Sequence, residues 1–234
     1  MANMTSSVSA SQVAGELASA TFEEIPALVE HYREDPRQQV IKACERALKR
    51  HAKELAERER VNDMYELMHE LGGDGVVVGV DEVGRGSVAG PLTVCAVCLP
   101  MEPRVWGIND SKKHIDEMGM ARAIRAAVAG AVADTGLEPD CVLMDGNPLG
   151  AVPNERDVVK GDAKIACIAA ASIMAKVTRD EMMVEYDAEY PEYHLAESKG
   201  YASPEHIEAI RKHGLCPLHR VSFCGNFLQT ERLF

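Results

Sequence analysis

Apolar residues recur along this chain at two different periods. From Phe22 to about Leu71 they return every three or four positions. In DPRQQVIKACERALKRHAKELAERERVNDMYELMHEL, residues Val40, Ala43, Cys44, Ala47 and Leu48 follow that spacing with charges between them, which predicts amphipathic helices. Asp35-Pro36 supplies a helix start. GGDG, Gly72 to Gly75, breaks the pattern. Beyond it, runs of β-branched and short apolar residues at Val76–Val80 and Leu92–Leu99 predict strands, and Cys141–Met144 predicts a third. Helices are expected over Ala121–Ala133, from Ala163 to about Tyr186, and over SPEHIEAIRKHG, where Ser203-Pro204 starts and Gly214 stops the element. The second of these is apolar over most of its surface through IACIAAASIMAKV and is expected to be largely buried. Tight-turned strands followed by strand–helix alternation predict an α/β domain with a mixed sheet.

Three segments follow. Residues 1–21, rich in Ala, Ser and Val and almost uncharged, are expected to be a disordered leader. Residues 22–74 form a helical N-terminal extension, read as a helical pair, and residues 75–234 form the main domain.

Composition narrows the picture. No apolar run approaches the roughly 20 residues of a membrane span. The first 32 residues contain no Lys or Arg, so the basic start of a secretory or transit peptide is missing, which favours the cytoplasm. The seven cysteines are odd in number and sit mostly in apolar context, as expected of reduced, buried thiols. Cys95-x-x-Cys98 has zinc-like spacing, but it lies in a strand-like run and no second pair follows. The net charge of −12 argues against a general nucleic-acid binder. An anionic partner must be met by a local basic patch or by metal ions that reverse the sign of a carboxylate cluster.

Four acids stand at element ends in buried-looking surroundings: Asp81, Glu82, Asp145 and Asp162. Gathering carboxylates away from water is costly unless a cation neutralises them, and Mg²⁺ prefers such oxygen ligands. Each acid also has an ordinary alternative. Asp81 can end a strand in a turn, and strand alternation points Glu82 to the opposite face unless the backbone bends. MDGN is a common turn, and Asp162 precedes a helix as an N-cap does. Lys112 and Lys113 in INDSKK can hold phosphates or be solvated turn lysines. Lys160, Lys164, Lys176 and Arg179 cluster around the apolar helix, where some can pair with nearby acids. The glycines of Gly84-Arg85-Gly86 allow close backbone approach to a ligand, and Arg85 can meet a phosphate.

Together these motifs resemble the ribonuclease HII family. GVDEVGRGSVAGP, INDSKK, MDGN, KGDAKIACIAAASIMAKVTRD, SKGYASPEHIEAIRKHG and CPLHRVSF follow in that family's order from about Val76 to Phe223. Val83, Ser87 and His114-Ile115 depart from its usual residues, and none is a presumed ligand. The resemblance implies an RNase H-like fold, a five-stranded mixed sheet flanked by helices. It implies Mg²⁺ or Mn²⁺ at Asp81, Glu82, Asp145 and Asp162. It implies ribonucleotide contacts from Gly84, Arg85 and Gly86, phosphate contacts from Lys112 and Lys113, and Tyr201 stacked on the neighbouring deoxyribose. The implied reaction is hydrolysis 5′ to a ribonucleotide, in RNA–DNA hybrids and in duplex DNA with embedded ribonucleotides, leaving 3′-hydroxyl and 5′-phosphate ends. A monomer is expected.

Other readings predict other behaviour. Ribonuclease HIII resembles the chain at DEVG but usually carries Gly-Thr-Gly in place of Gly84-Arg85-Gly86, and its extension bears a sheet. A resolvase of the same fold would cleave all-DNA junctions. A non-catalytic hybrid binder would be indifferent to Asp81→Asn. The terminal QTERLF resembles short peptides that dock on sliding clamps, although its spacing is imperfect and a frayed tail is the plainer reading.

Overall fold

The computed structural model describes residues 8–102 and 121–228. They divide into two compact units, one up to Asn62 and one from Asp63 onward. The change of texture at Gly72–Gly75 therefore falls about ten residues after the division between the units.

The first unit is helical. In place of a disordered leader, residues 10–19 form α1 (Ala10–Ser19). Ser9 Oγ accepts from the Gln12 amide at 3.2 Å, and Gln12 Oε1 accepts from the Ser9 amide at 2.9 Å, a reciprocal cap that fixes the first turn. Val13 and Leu17, one turn apart, are fully buried with Ile25, Val40, Ala43 and Ala47. Low charge here thus marks a face for burial, not the absence of structure. After α2 (Ile25–His31) comes α3 (Gln38–Gly72), a helix of 35 residues whose last turns belong to the second unit. Arg50 of α3 donates to the carbonyls of Ala18 at 2.5 Å and Ala20 at 2.8 Å, covering orphan acceptors at the end of α1.

The second unit is a mixed sheet between helices. Strands β1 (Val77–Val83), β2 (Thr93–Cys98), β3 (Cys141–Asp145) and β4 (Glu155–Val158) lie in the order β2-β1-β3-β4. β2 is antiparallel to β1, whereas β1, β3 and β4 run parallel. The described residues thus contain four strands where five were expected; β4 gave no strand signal in the sequence. Its connection to β3 is short, and the Glu155 carboxylate organises it by accepting from the amides of Leu149, Gly150, Ala151 and Val152.

Alternation along β1 and β3 separates two faces. Val78, Val80, Val142 and Met144 pack with Ile124, Val128 and Val132 of α4 (Ala121–Asp134). The other face receives α5 (Ala166–Glu189), whose backbone at Cys167 and Ile168 approaches Gly79 so closely that a Cβ there would collide with it. α5 is less completely buried than its composition predicts: Met174, Val177 and Val184 are each about half exposed on its outer side. The chain ends in α6 (Leu195–Ser198), α7 (Pro204–His213), capped by Ser203, and α8 (Val221–Cys224).

Candidate active site

The parallel strands deliver their carboxylates to one end of the sheet. Val80 is level with Met144, so the next residues, Asp81 and Asp145, stand side by side on adjacent strands and share the α5 face. Ligand sites of α/β sheets form at such carboxyl ends. β1 stays paired with β2 through Val83 without a bulge, so alternation turns Glu82 away from Asp81. Glu82 nevertheless feels the negative charge of Asp145, and Arg85 holds it at 3.0 Å.

Asp81 is buried, and the Ser172 side chain of α5 hydrogen-bonds to it. Burial pushes its carboxyl up to about 7; the Ser172 bond opposes this, while the charges of Glu82 and Asp145 add to it. Burial likewise raises Glu82, against the pull of the Arg85 guanidinium. Asp145 Oδ1 accepts from the Gly161 amide at 2.6 Å. That bond draws the turn after β4 up to the strand end, where Asp162 follows in a single 3₁₀ turn, Gly161–Ala163. Asp162 is therefore not the N-cap of the long helix; that position is Ile165, with no side-chain cap. Asp162 Oδ1 accepts from the Ala163 amide at 2.9 Å.

Asp81 and Asp145 are adjacent and Glu82 feels Asp145, but the acids are not closed around a point: among the described residues, no three His, Cys, Asp or Glu side chains form a group that could hold a metal ion. Their chemistry still fits a hard divalent cation. All donors are oxygen, and Asp81 and Glu82 are driven toward protonation by burial and by neighbouring carboxylate charge, a penalty that a cation would relieve.

Beyond the acids, Gly84 adopts φ +87°, and a Cβ there would lie 2.6 Å from the Pro91 carbonyl. Arg85 Nε is buried and has no hydrogen-bond partner. Tyr201 is half-buried, with the Arg179 guanidinium 5.4 Å from its ring centre. Lys112 and Lys113 lie outside the described residues. Ser172 escaped the sequence analysis; its signal was a lone hydroxyl within an alanine-rich helical face. Arg179 was visible as one of a basic cluster, but its partners are backbone carbonyls, not the nearby acids the sequence suggested.

The family model described as ribonuclease HII matches residues 78–117 and 108–226, and that of the ribonuclease HII N-terminal domain matches residues 9–71. The chain belongs to the ribonuclease HII family. It is 39% identical over 204 residues to a ribonuclease HII of Ruminiclostridium cellulolyticum, covering 74% of this chain and 80% of the relative. A ribonuclease HII of Endomicrobium trichonymphae is 41% identical over 177 residues, covering 63% of this chain and 84% of the relative. Among solved structures, a chain from the PCNA:RNase HII complex of Archaeoglobus fulgidus superposes with a TM-score of 0.52 at 20% identity. That match covers 68% of this chain and 98% of the other, and shows the shared fold. Family and fold make the chain a ribonuclease H-type endonuclease, a hydrolase, and ribonuclease H enzymes depend on divalent metal ions.

Proposed function

We propose that this ribonuclease HII hydrolyses the phosphodiester on the 5′ side of a ribonucleotide, in RNA–DNA hybrids and at single ribonucleotides within duplex DNA, leaving 3′-hydroxyl and 5′-phosphate ends. The observation that carries this reading is the side-by-side placement of Asp81 and Asp145 at the ends of adjacent parallel strands, with Glu82 within electrostatic reach of Asp145.

Asp81, Glu82, Asp145 and Asp162 would hold two divalent ions, Mg²⁺ or Mn²⁺. Bound there, such ions would supply activation of a water and stabilisation of the leaving oxygen of a phosphodiester. The chain's own residues do the remaining work. Ser172 holds Asp81 in place, and the Gly161 amide does the same for Asp145. Backbone groups of Gly84 and Gly86 meet the ribose 2′-hydroxyl, the group that distinguishes RNA from DNA. Arg85, paired through Nη1 with Glu82, meets a phosphate with the rest of its guanidinium. Tyr201 stacks on the adjoining deoxyribose, and Lys112 and Lys113 bind phosphates further along.

The test is a labelled DNA duplex bearing one ribonucleotide, incubated with Mg²⁺ beside an all-DNA control. Wild type should nick only the first, 5′ to the ribonucleotide, and Asp145→Asn should lose at least about a hundredfold of that rate. Cleavage of all-DNA junctions would point to a resolvase, and equal activity of Asp145→Asn would overturn the reading. QTERLF, outside the described residues, supports a sliding clamp as a partner, as does the solved complex of the Archaeoglobus enzyme with PCNA. Deleting residues 229–234 should abolish co-elution with a bacterial clamp and leave nicking unchanged.

A further inference from the structure

Two guanidiniums in the second unit, one fully buried and one half-buried, bond to carbonyls instead of a carboxylate. Arg179, fully buried on α5, donates to the carbonyls of Pro91 at 3.0 Å, Ala89 at 3.2 Å and Lys199 at 2.7 Å. Arg220 donates to Gly84 at 2.7 Å, Arg85 at 3.1 Å and Gly90 at 3.1 Å. Among the described residues neither forms a salt bridge, although a buried charge is ordinarily paired. Six carbonyls take the place of a counter-ion. Five belong to the 84–91 segment and one to the turn that carries Tyr201.

The two arginines divide the work. The side-chain hydrogen bonds of Arg220 go only to the 84–91 segment, and its guanidinium stands 5.8 Å from the Phe223 ring centre. Arg179 joins that segment to the second turn, and its planar fork also stands against the Tyr201 ring. Lys199 and Gly200 are consecutive left-handed residues, at φ 50° and 75°. The Gly200 carbonyl accepts from the amides of Val88 at 2.9 Å and Ala89 at 3.0 Å, and a Cβ on Gly200 would strike the Ala89 carbonyl. His206 Nδ1 lies 2.9 Å from the Tyr201 carbonyl. The carbonyls of Lys199, Gly200 and Tyr201 are thus each fixed by a buried partner.

We propose that Arg179 is a positioning residue that sets the distance between the Gly84-Arg85-Gly86 turn and the Tyr201 ring, so that both engage the same ribonucleotide–deoxyribonucleotide step. This rests on the substrate reading above. Arg179 acts through Tyr201 and the turn, and touches neither the substrate nor the four carboxylates.

The test is a double-mutant cycle on the single-ribonucleotide duplex with Mg²⁺, crossing Arg179→Lys with Tyr201→Ala. Lysine keeps the charge but cannot span three carbonyls. Alone, Arg179→Lys should lower kcat/KM by about tenfold or more, as expected for misplacement of a substrate-reading group. In the Tyr201→Ala background the same change should lower it less than about threefold, because the group it positions is already gone. Arg220→Lys, whose hydrogen bonds reach only the 84–91 segment, should lose factors within about twofold of each other in the two backgrounds. The rise in Tm on adding Mg²⁺ should match wild type in Arg179→Lys, showing the carboxylates undisturbed. Arg179→Gln, an uncharged donor, takes the place of lysine in the cycle should the lysine variant melt below the assay temperature. Independent losses in the cycle, or a wild-type rate in Arg179→Lys, would overturn the proposal while leaving the substrate reading intact. Failure of wild type to nick the single-ribonucleotide duplex would instead remove the substrate reading.

Discussion

Asp81 shows most clearly how one side chain can be unfavourable for the fold and suited to the proposed chemistry. It is 8% exposed, packed under α5, and flanked by the charges of Glu82 and Asp145. Its carboxyl titrates at about 7 in the folded chain and near 3.8 when free. A folded-state value above the unfolded one means that the proton favours folding. The contribution is complete below about pH 4 and is lost as pH rises to about 7. In EDTA, Asp81→Asn should therefore melt above wild type at pH 8, by about 1–3 kcal/mol of stability, and the gap should shrink toward pH 4. Thermal melts at pH 4, 6 and 8 measure it. A variant less stable than wild type at pH 8 would show that Ser172 and the neighbouring amides outweigh burial. Gly84 belongs to the same scale. Gly84→Ala forces a side chain onto φ +87° and into the Pro91 carbonyl and Arg179, and should lower stability by about 2 kcal/mol or more in urea titrations.

Among elements, α7 and the turn before α8 are joined by two histidines. His206 Nε2 and His219 Nε2 are 3.1 Å apart and buried, and the Cys216 amide donates to His219 Nδ1 at 3.0 Å. His219 Nε2–H therefore donates to His206 Nε2, and His206 Nδ1–H donates to the Tyr201 carbonyl, an order that requires both rings neutral. Burial lowers both; the charge of His206 lowers His219 further, and that of His194 lowers His206. With folded-state values below 6.5, their contribution is present above pH 6.5 and lost as pH falls through the lowered values. Asp81 and Glu82 act in the opposite direction over this range, so slopes are compared between proteins: in urea unfolding between pH 8 and 5, wild type should lose stability toward acid relative to His206→Asn. An unchanged slope would assign the loss to other groups. α1 makes a comparable case in the first unit: its low charge and small residues read as disorder, yet the cap at Ser9 and the burial of Val13 and Leu17 make it a packed helix. Periodicity over ten residues is too brief a signal to separate the two without knowing what lies opposite.

For the whole molecule, the relevant quantity is a net charge of −12 on an enzyme whose family acts on polyanions. In the proposed site, cations held by the carboxylates would reverse the local sign that a phosphate meets. Binding of a ribonucleotide-bearing duplex, followed by fluorescence anisotropy with Asp145→Asn in Ca²⁺ and in EDTA, should be weaker in EDTA by about tenfold or more for wild type, and the difference should narrow in the variant. Equal affinity in both conditions would mean that Arg85 and the lysines alone carry the attraction. Divalent ions should also lift the stability of wild type most at high pH, where Asp81 is ionised.

Much of this was legible from residues alone. The strands around Asp81 and Asp145, the capped helix after Ser203, the helix over α5 and the motifs that mark the family all depend on local sequence: apolar period, turn residues and caps act between neighbours in the chain. The sequence also singled out the four acids, because carboxylates beside apolar runs are anomalous wherever they fold. It could not say which acids stand together. That was decided by register, Val80 against Met144, and by the Gly161 amide reaching Asp145, contacts between residues more than ten positions apart. The edge strand β4, the burial of Arg179 among carbonyls and the neutral histidine pair are likewise properties of packing. Each exists only once distant backbone has closed around a polar group and removed its water, and no local pattern encodes that event.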